Sequence, residues 1–371
     1  MSRDRAFLVV VRKKGTSEYS WEESFKELSE LTRSAGGVVA DFVKAPIERP
    51  TPNFFIRSGK LEEIRMKATQ KEANLIIFNV DLAPVQSRNI EEQTGIRVVD
   101  RTGLILDIFA RRAQSRAGRL QVELAQLNYL LPRLVGHGVI MSRLGGGIGT
   151  RGPGEQKLEV DRRKIRDRIG RLRGELGKLE MHRELVRKNR QRKAFPVVAI
   201  VGYTNAGKST LLNALTGADA VVEDKLFATL DPMTRLFRTH GGQKLLLTDT
   251  VGFLADLPHA LVEAFHATLE EVTEADVIIH VLDIAHPSAE HQYQSVCQVL
   301  EELRAHEKPM VLALNKIDIL EESELARAVE KFSYGIPISA KKKLHLDQLM
   351  DAVIKSIGRL KVSESSHRTF D

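Results

Sequence analysis

The sequence predicts an α/β protein in three parts: an N-terminal α/β subdomain with a parallel sheet, an antiparallel helical hairpin, and a C-terminal doubly wound domain. Short apolar segments alternate with helical patterns at both ends of the 371-residue chain. Two long helical patterns joined by a glycine-rich stretch lie between them. We place the parts at residues 1–110, 111–195 and 196–360, followed by a short tail at 361–371.

The composition favours a globular protein of a reducing compartment. Hydrophobic residues make up 42% of the chain and charged residues 28%, which are ordinary values for a globular domain. Cys297 is the only cysteine, which excludes an internal disulfide and a cysteine-based metal site. The apolar run Ala6–Val11 is too short for a signal peptide, and no stretch has the length of a membrane span. We therefore expect a cytoplasmic protein without a membrane span. As a separate expectation, we take the protein to be a monomer.

The first hundred residues predict alternating strands and helices. Apolar, partly β-branched runs predict strands at Phe7–Val11, Val38–Val43, Leu75–Phe78 and Ile96–Val99. Helical patterns lie between these strands, at residues 21–34, 60–72 and 85–93. Short apolar strands separated by helices indicate a small parallel sheet that is covered on both faces. We find no obvious catalytic constellation in this part.

The middle segment predicts two helices that pack against each other as a hairpin. In the first, leucines follow one another at spacings of three and four residues, at Leu120, Leu124, Leu127 and Leu131. The second carries an apolar residue every seven positions, at Leu158, Ile165, Leu172, Leu179 and Val186. The remainder of the second helix is mostly charged, which leaves apolar surface for only one partner stripe. Packing of both helices on a larger core is the alternative.

The positive charge of the chain is concentrated in this segment. Residues 111–195 carry 22 Lys and Arg against 8 Asp and Glu, a net charge of +14, which leaves −7 for the rest of a chain whose total is +7. Arginine dominates and no acidic stripe balances it, so we favour a nucleic-acid partner over a merely solvated surface. The glycine-rich stretch at residues 136–154 is flanked by Arg133, Arg143 and Arg151. It is either a passive linker or a loop that contacts phosphate or RNA.

A phosphate-binding loop opens the third part. The apolar strand Val197–Val201 runs into Gly202-Tyr203-Thr204-Asn205-Ala206-Gly207-Lys208-Ser209, and a helix continues from Thr210. Strand, G-x-x-x-x-G-K-S and helix, in this order, are the context of a P-loop. Its backbone N–H groups converge on phosphates, and Lys208 supplies a positive charge to the β- and γ-phosphates. The hydroxyl of Ser209 is expected to bind Mg²⁺.

Three further motifs follow in the order of a guanine-nucleotide site. In Asp249-Thr250-Val251-Gly252, the carboxylate of Asp249 would hold Mg²⁺ through water and the N–H of Gly252 would contact the γ-phosphate. In Asn315-Lys316-Ile317-Asp318, the carboxylate of Asp318 accepts two hydrogen bonds that guanine can donate and adenine cannot. The backbone of Ser339-Ala340-Lys341 would contact the guanine oxygen. The combination predicts a P-loop GTPase domain that binds GTP and GDP.

The segment Leu226–Arg235 is the predicted switch loop, which needs a threonine that meets both Mg²⁺ and the γ-phosphate. Thr229 and Thr234 both qualify by their chemistry. Phe253 stands where many small GTPases have a glutamine that orients water, so intrinsic hydrolysis should be slow and should need a partner or a cation. Asn205 is a candidate ligand for such a cation, K⁺, and a loop-stabilising hydrogen bond is its alternative role.

The chain resembles the HflX family of translation-factor-related GTPases. The resemblance rests on the motifs above, including Asn205 and Phe253, and on Phe227-Ala228-Thr229-Leu230-Asp231-Pro232. It extends to three stretches upstream of the nucleotide site, Asp100–Ala110, Leu120–Ala125 and Gly152–Glu155. It implies the three-part fold and selects Thr229 over Thr234 as the switch threonine. With it, the expected catalytic groups are Lys208, Thr229 and Gly252, and the expected metal ligands are Ser209, Thr229 and Asp249.

The resemblance also implies a partner, the large (50S) ribosomal subunit and its rRNA. The family is linked to the splitting of stalled or idle ribosomes, and therefore to ribosome dissociation, recycling or translation under stress. The alternative is an RNA-remodelling or RNA-modification factor whose G domain acts as a timing switch. That function would need a catalytic cluster outside residues 196–360, and the histidines there, His137, His182 and His367, form none.

Overall fold

The computed structural model describes residues 4–16, 18–134, 153–191, 195–217, 227, 230–239, 241–254 and 269–367. It divides into two compact units, Met1–Lys178 and Leu179–Asp371. In the described part of the chain, no helix combines the length and the apolar character that a membrane crossing requires. The division at residues 110, 195 and 360 stays a prediction.

The first unit contains a four-stranded parallel sheet in the order β2-β1-β3-β4. Its strands are β1 Arg5–Lys13, β2 Val38–Ile47, β3 Leu75–Phe78 and β4 Arg97–Val99. Three helices connect them, α1 Glu18–Ser34, α2 Ser58–Gln70 and α3 Pro84–Thr94. These elements confirm the predicted strand and helix order. The five residues from Ala6 to Val10 are fully buried, as expected of a central strand that is covered on both faces.

Three more helices complete the segment that leads out of this sheet: α4 Arg101–Arg112, α5 Arg116–Arg133 and α6 Pro153–Gln191. The side chain of Asp100 caps α4 by accepting from the N–H of Gly103, and Ser115 caps α5 in the same way through Gly118. We did not predict α4, whose apolar residues from Leu104 to Leu106 are all buried and therefore show no helical periodicity.

The helices α5 and α6 run antiparallel, as the sequence predicts. Glu123 accepts two hydrogen bonds from Arg168, at 2.7 and 2.8 Å, and Arg116 lies 3.7 Å from Glu175 further along the pair. Leu172 of the predicted seven-residue stripe is fully buried. The alternative, packing on a larger core, also holds for one face of α5, which packs on α3 and α4. That helix therefore serves both the hairpin and the core of the α/β subdomain.

The second unit is built on a six-stranded sheet in the order β10-β9-β8-β5-β7-β6, parallel except for the β6–β7 pair. Its strands are β5 Val197–Gly202, β6 Met233–Arg238, β7 Lys244–Asp249, β8 Val277–Asp283, β9 Met310–Asn315 and β10 Ile336–Pro337. Its helices are α7 Lys208–Thr216, α8 Ala289–Glu302, α9 Glu322–Lys331 and α10 Leu346–His367.

The central strand β8 contributes to the core on both faces of this sheet. Val277, Ile279 and Val281 pack with residues of α7 and α10, and Leu282 packs with a cluster that includes Ala289 at the start of α8. Strands β5, β7, β8 and β9 are parallel, so their carboxyl ends meet at one edge. The sequence motifs that follow these strands are therefore brought together there.

The structure corrects the extent of the predicted switch loop. Met233–Arg235, the last part of the predicted loop, belongs to the antiparallel edge strand β6. Where the chain returns from β6 to β7, Thr239 N–H donates to Gln243 O at 2.9 Å, and Gln243 N–H donates to the hydroxyl of Thr239 at 3.1 Å. Hairpin pairing with β7 thus overrides the loop character of this polar segment.

Candidate nucleotide-binding site

The phosphate loop connects β5 to α7 and depends on glycine at both of its ends. A Cβ atom at Gly202 would collide with the carbonyl group of Val281, and one at Gly207 would collide with the side-chain amide of Asn315. Gly207 also has φ +97°, a region that favours glycine. Because α7 begins at Lys208, the N–H groups of its first turn face the loop. The local conformation is that of an anion site.

Lys208 is only 6% exposed within this loop. Its Nζ donates to two neutral acceptors, the carbonyl oxygens of Gly202 at 3.2 Å and Tyr203 at 2.9 Å. Burial lowers the pKa of this lysine to about 8, and the negative charge of Asp249 opposes that shift. A phosphate group would supply the counter-charge that the two carbonyl groups do not, so Lys208 is suited to binding phosphate.

Two oxygen ligands of the kind that Mg²⁺ prefers lie together beside Lys208. The hydroxyl of Ser209 donates to Asp249 Oδ2 at 2.6 Å, and Asp249 is 1% exposed. A hydroxyl and a carboxylate fit a magnesium site that is completed by phosphate oxygens and water. In the described ranges, no group of three or more His, Cys, Asp or Glu could hold a metal without such additional ligands.

The backbone of Phe253 is hydrogen-bonded to the phosphate loop. Thr204 N–H donates to Phe253 O at 2.8 Å, and Phe253 N–H donates to Gly202 O at 3.1 Å. The ring of Phe253 is 1% exposed, so it is a core residue and leaves no polar group facing the loop. Beside it, a Cβ atom at Gly252 would lie 2.8 Å from Thr204 Cγ2 and 3.0 Å from Lys208 Nζ. This close approach requires glycine at position 252.

The side chain of Asn315 ties the phosphate loop to the loops expected to hold the base. Its Nδ2 donates to Ala206 O at 2.8 Å, and its Oδ1 accepts from Ala340 N–H at 2.9 Å. Asp318 Oδ1 accepts from the hydroxyl of Ser339 at 2.6 Å, which fixes the orientation of that carboxylate. Lys316 has φ +69°, and its Nζ lies 2.7 Å from Asp283 Oδ2.

Sequence reasoning missed Asp283 and the side chain of Ser339. Asp283 is the last residue of a buried apolar strand, as Asp249 and Asn315 are, and this position is the signal that could have identified it. Ser339 was expected to act through its backbone, whereas its hydroxyl also accepts from Lys342 N–H at 3.0 Å. Both residues orient groups of the predicted base site.

The switch loop is described only in part. Phe227 and Leu230 are each 2% exposed, whereas Ala228 and Thr229 lie outside the described residues. Thr234 lies in β6, and its hydroxyl is 3.0 Å from that of Thr248 on the neighbouring strand. This placement in the sheet makes Thr234 unsuited to ordering a switch loop, which agrees with the selection of Thr229.

The remaining expected contact residues lie along the same edge of the sheet. Thr250 donates its hydroxyl to Ile200 O at 2.8 Å, and Asn205 has φ +61° at the exposed tip of the phosphate loop. Thr210 lies in α7 and Ile317 is 8% exposed, and both belong to the elements that frame the site. Three further residues are described: Asp231 of the switch motif, Val251 after β7 and Lys341 after β10.

The glycine-rich stretch lies outside the described residues from 135 to 152, including Arg143 and Arg151. Arg133, which precedes this stretch, is described and makes its contacts inside the first unit, while the RNA contact of the stretch itself stays a prediction. Its guanidinium donates to Asp100 Oδ2 at 2.6 Å and lies 3.5 Å from the ring centroid of Tyr129. The guanidinium of Arg133 is therefore bound by a carboxylate and an aromatic ring of the same unit.

Three family models match successive parts of the chain. They are described as "GTP-binding GTPase N-terminal" for residues 22–110, "GTP-binding GTPase Middle Region" for 112–190 and "50S ribosome-binding GTPase" for 197–316. Together they extend over most of both compact units.

Similar proteins agree with these models. A GTPase HflX from Caldanaerobacter subterraneus subsp. tengcongensis is 51% identical over 355 residues, which are 96% of this chain and 81% of that protein. The GTPase HflX of Escherichia coli (strain K12) is 43% identical over 337 residues, 90% of this chain and 79% of that protein. The solved structure of an SsGBP–GDP complex is 29% identical, with a TM-score of 0.54, and the match covers 96% of this chain and 99% of that one. The chain belongs to the HflX family of GTPases.

Proposed function

We propose that this GTPase grips the large ribosomal subunit in its GTP-bound state and that hydrolysis releases it, in ribosome dissociation, recycling or translation under stress. The observation that carries the proposal is a strongly basic helix, α6, in the same chain as a GTP site. A family model described as a 50S ribosome-binding GTPase and relatives named GTPase HflX support it. The ribosomal contact is proposed to involve rRNA.

The exposed side of α6 presents basic groups suited to an RNA backbone. Arg163, Arg171, Arg173 and Lys178 are exposed and make no ion pair with any side chain that the structure describes. Their neighbours Arg162 and Arg168 instead pair with Glu159 and Glu123. Unpaired surface cations attract phosphate because binding releases the counterions that the nucleic acid holds. Arg168 joins α6 to α5 and Arg162 pairs within α6, whereas the unpaired basic residues are proposed to bind rRNA.

In the proposed cycle, GTP binding depends on both the phosphate loop and the base loops. Ser209 and Asp249, with Thr229 from the switch loop, would hold Mg²⁺, which neutralises charge on the β- and γ-phosphates. Lys208 would neutralise further phosphate charge, and Gly252 N–H would contact the γ-phosphate. Asp318, oriented by Ser339, would select guanine. The shared position of the described members, at the carboxyl ends of the parallel strands, supports this set.

Phe253 supports a dependence of hydrolysis on a partner. A buried aromatic ring has no group that can orient the attacking water, so the free protein should hydrolyse GTP slowly. The proposed accelerator is the ribosome, with K⁺ bound through Asn205 as a contributing cation. Equal hydrolysis rates in potassium and sodium would remove the cation from this scheme while leaving the ribosomal partner in place.

Sedimentation with purified ribosomal subunits tests the proposal. We expect the protein to co-migrate with the large subunit in the presence of a non-hydrolysable GTP analogue and to be released with GDP. Charge reversal of Arg163, Arg171 and Arg173 to glutamate should weaken this binding by at least about tenfold and reduce its salt dependence.

The matched control reverses three basic residues of another exposed surface in the same unit, Arg57, Arg65 and Lys67, all of which pair with glutamates. This control variant should bind the subunit within about threefold of the wild type, because its charges are already neutralised locally. Absence of co-migration with the analogue, or equal losses in the two triple variants, would contradict the proposal.

A further inference from the structure

Asp283 fixes the lysine of the predicted guanine-binding motif. The carboxylate ends strand β8, and its Oδ2 lies 2.7 Å from Lys316 Nζ. Its Oδ1 accepts from Ala285 N–H at 3.2 Å. The side chains of Asp283 and Lys316 are 13% and 29% exposed, so water reaches this ion pair only in part. The position of the carboxylate is therefore fixed by the strand and by a backbone donor, independently of its ion pair with Lys316.

Lys316 is constrained at its backbone as well as at its ammonium group. Its φ of +69° lies in the left-handed region, which is unfavourable for a lysine and which the motif turn imposes. Strands β8 and β9 are paired up to this point, with Asp283 opposite Asn315. Just beyond the pair, Ile284 N–H donates to Asn315 O at 3.2 Å. A lysine side chain that is free in solution samples many rotamers, and freezing it on ligand binding would cost affinity. Here, both ends of the side chain are fixed by the protein itself.

The ion pair also controls where the charge of Lys316 acts. With Nζ held on Asp283, the ammonium group is neutralised locally, and Asp318 keeps its hydrogen bond from Ser339. The methylene groups between the two fixed ends can then provide apolar contact area for a planar base. Phosphate binding is left to Lys208, whose hydrogen bonds lie in a different loop.

We propose that Asp283 is a positioning residue for guanine, which acts by pinning Lys316 Nζ so that the aliphatic stem forms a preformed wall of the base site. This inference rests on the proposed function, because it takes Asn315–Asp318 as the base-binding motif. It assigns Asp283 to nucleotide affinity and not to the chemical step. The residue is thus expected to influence GTP and GDP equally.

The substitution Asp283→Asn tests the inference with little change in shape. The amide oxygen can still accept from Ala285 N–H, but the charge that holds Lys316 is lost. We expect the dissociation constants of fluorescent GTP and GDP analogues to rise by about three- to tenfold each. KM for GTP should rise in parallel, while kcat stays within about twofold, because the phosphate loop is untouched.

A double-mutant cycle separates positioning from a general structural role. Lys316→Met keeps an aliphatic stem and removes the charge, so Asp283→Asn should cause no further loss in that background. The matched control is Glu290→Gln, which breaks the 2.7 Å pair with Lys331 in the same unit and should leave nucleotide affinity unchanged. Unchanged affinity in Asp283→Asn, or an equal loss with and without Lys316, would overturn the inference.

The variant Asp318→Asn distinguishes failure of this inference from failure of the proposed base site. An amide offers guanine one acceptor in place of two, so discrimination of GTP against ATP should fall. If discrimination were unchanged, the base assignment and the inference would both be wrong. If it fell while Asp283→Asn had no effect, only the role of Asp283 would be rejected.

Discussion

Asp100 in the first unit and Lys208 in the second are both charged and almost completely buried, yet their surroundings differ. Asp100 is 1% exposed and accepts hydrogen bonds from the N–H groups of Leu82 and Gly103, the hydroxyl of Tyr129 and the guanidinium of Arg133. Lys208 is 6% exposed and donates to two backbone carbonyl groups. The first charge is neutralised by the protein, whereas the second has neutral hydrogen-bond partners.

This difference separates a structural charge from one that is suited to a ligand. A buried ion is tolerated when its hydrogen bonds and its counter-charge are both supplied, as they are for Asp100. The same cluster explains Gly103, because a Cβ atom there would lie 2.7 Å from the Tyr129 hydroxyl. Burial and the nearby carboxylate also raise the pKa of Tyr129, which therefore stays protonated and donates. At Lys208, burial lowers the pKa, and a bound phosphate would reverse that effect.

The largest effect is expected from Asp100→Ala, which removes the counter-charge of Arg133 and the acceptor of the Tyr129 hydroxyl. We expect the free energy of unfolding of the first unit to fall by about 3–5 kcal/mol. Trp21, the only tryptophan, is 7% exposed in that unit, so its fluorescence during denaturant titration reports the change. In the absence of denaturant, the affinity of the Asp100→Ala variant for GTP should equal that of the wild type. The exposed pair Arg65–Glu62 is the control, since Arg65→Ala should leave the midpoint of the denaturant titration almost unchanged.

The next effect is expected from Lys208→Met, which keeps an unbranched side chain one heavy atom shorter and removes the charge. Affinity for GTP should fall by at least about 100-fold, equivalent to about 2.7 kcal/mol, measured by calorimetry. The stability of the second unit should be unchanged or higher, because a poorly compensated buried charge is removed. Strong destabilisation by this variant would show that Lys208 is structural in the way that Asp100 is.

Near neutral pH, a smaller effect is expected at His280, a third kind of buried polar group. It is fully buried on β8 and stacks on Tyr293 with ring centroids 5.1 Å apart. In the described part of the chain, neither ring nitrogen has a hydrogen-bond partner. Burial lowers its pKa to about 3, and the charge of Lys208 acts in the same direction. His280 is thus neither compensated like Asp100 nor placed to meet a ligand.

The pH dependence of stability tests this assignment. Below pH 6.5 the unfolded chain protonates this histidine and the folded chain does not, so stability is lost as the pH falls from about 6.5 toward 3. The contribution is at most about 1.4 kcal/mol per pH unit. His280→Phe should remove it, as followed by hydrogen exchange of the peptide that contains residues 277–283. The substitution of the exposed His291 by Gln is the control. If the loss of stability with falling pH were the same in His280→Phe as in the wild type, burial would not be what keeps this ring neutral.

Regular elements were predicted from sequence where one periodicity dominates. The strand at Leu75–Phe78 has the predicted bounds, and the strands that precede the nucleotide motifs were predicted within a residue or two. The helix Arg101–Arg112 was missed because it is apolar on several faces. The edge strand Met233–Arg238 was missed because charged residues interrupt it and only its pairing with β7 defines it.

The candidate site shows the same division between local and distant effects. The sequence by itself determined which groups can meet phosphate, Mg²⁺ and guanine, because residue type and short spacing set the conformation of each loop. Only the tertiary structure decided that Arg133 pairs with Asp100, that Phe253 is a core residue, and that Asp283 holds Lys316. These contacts join residues that are far apart in the chain. Their partners depend on strand order and packing, which no local spacing encodes.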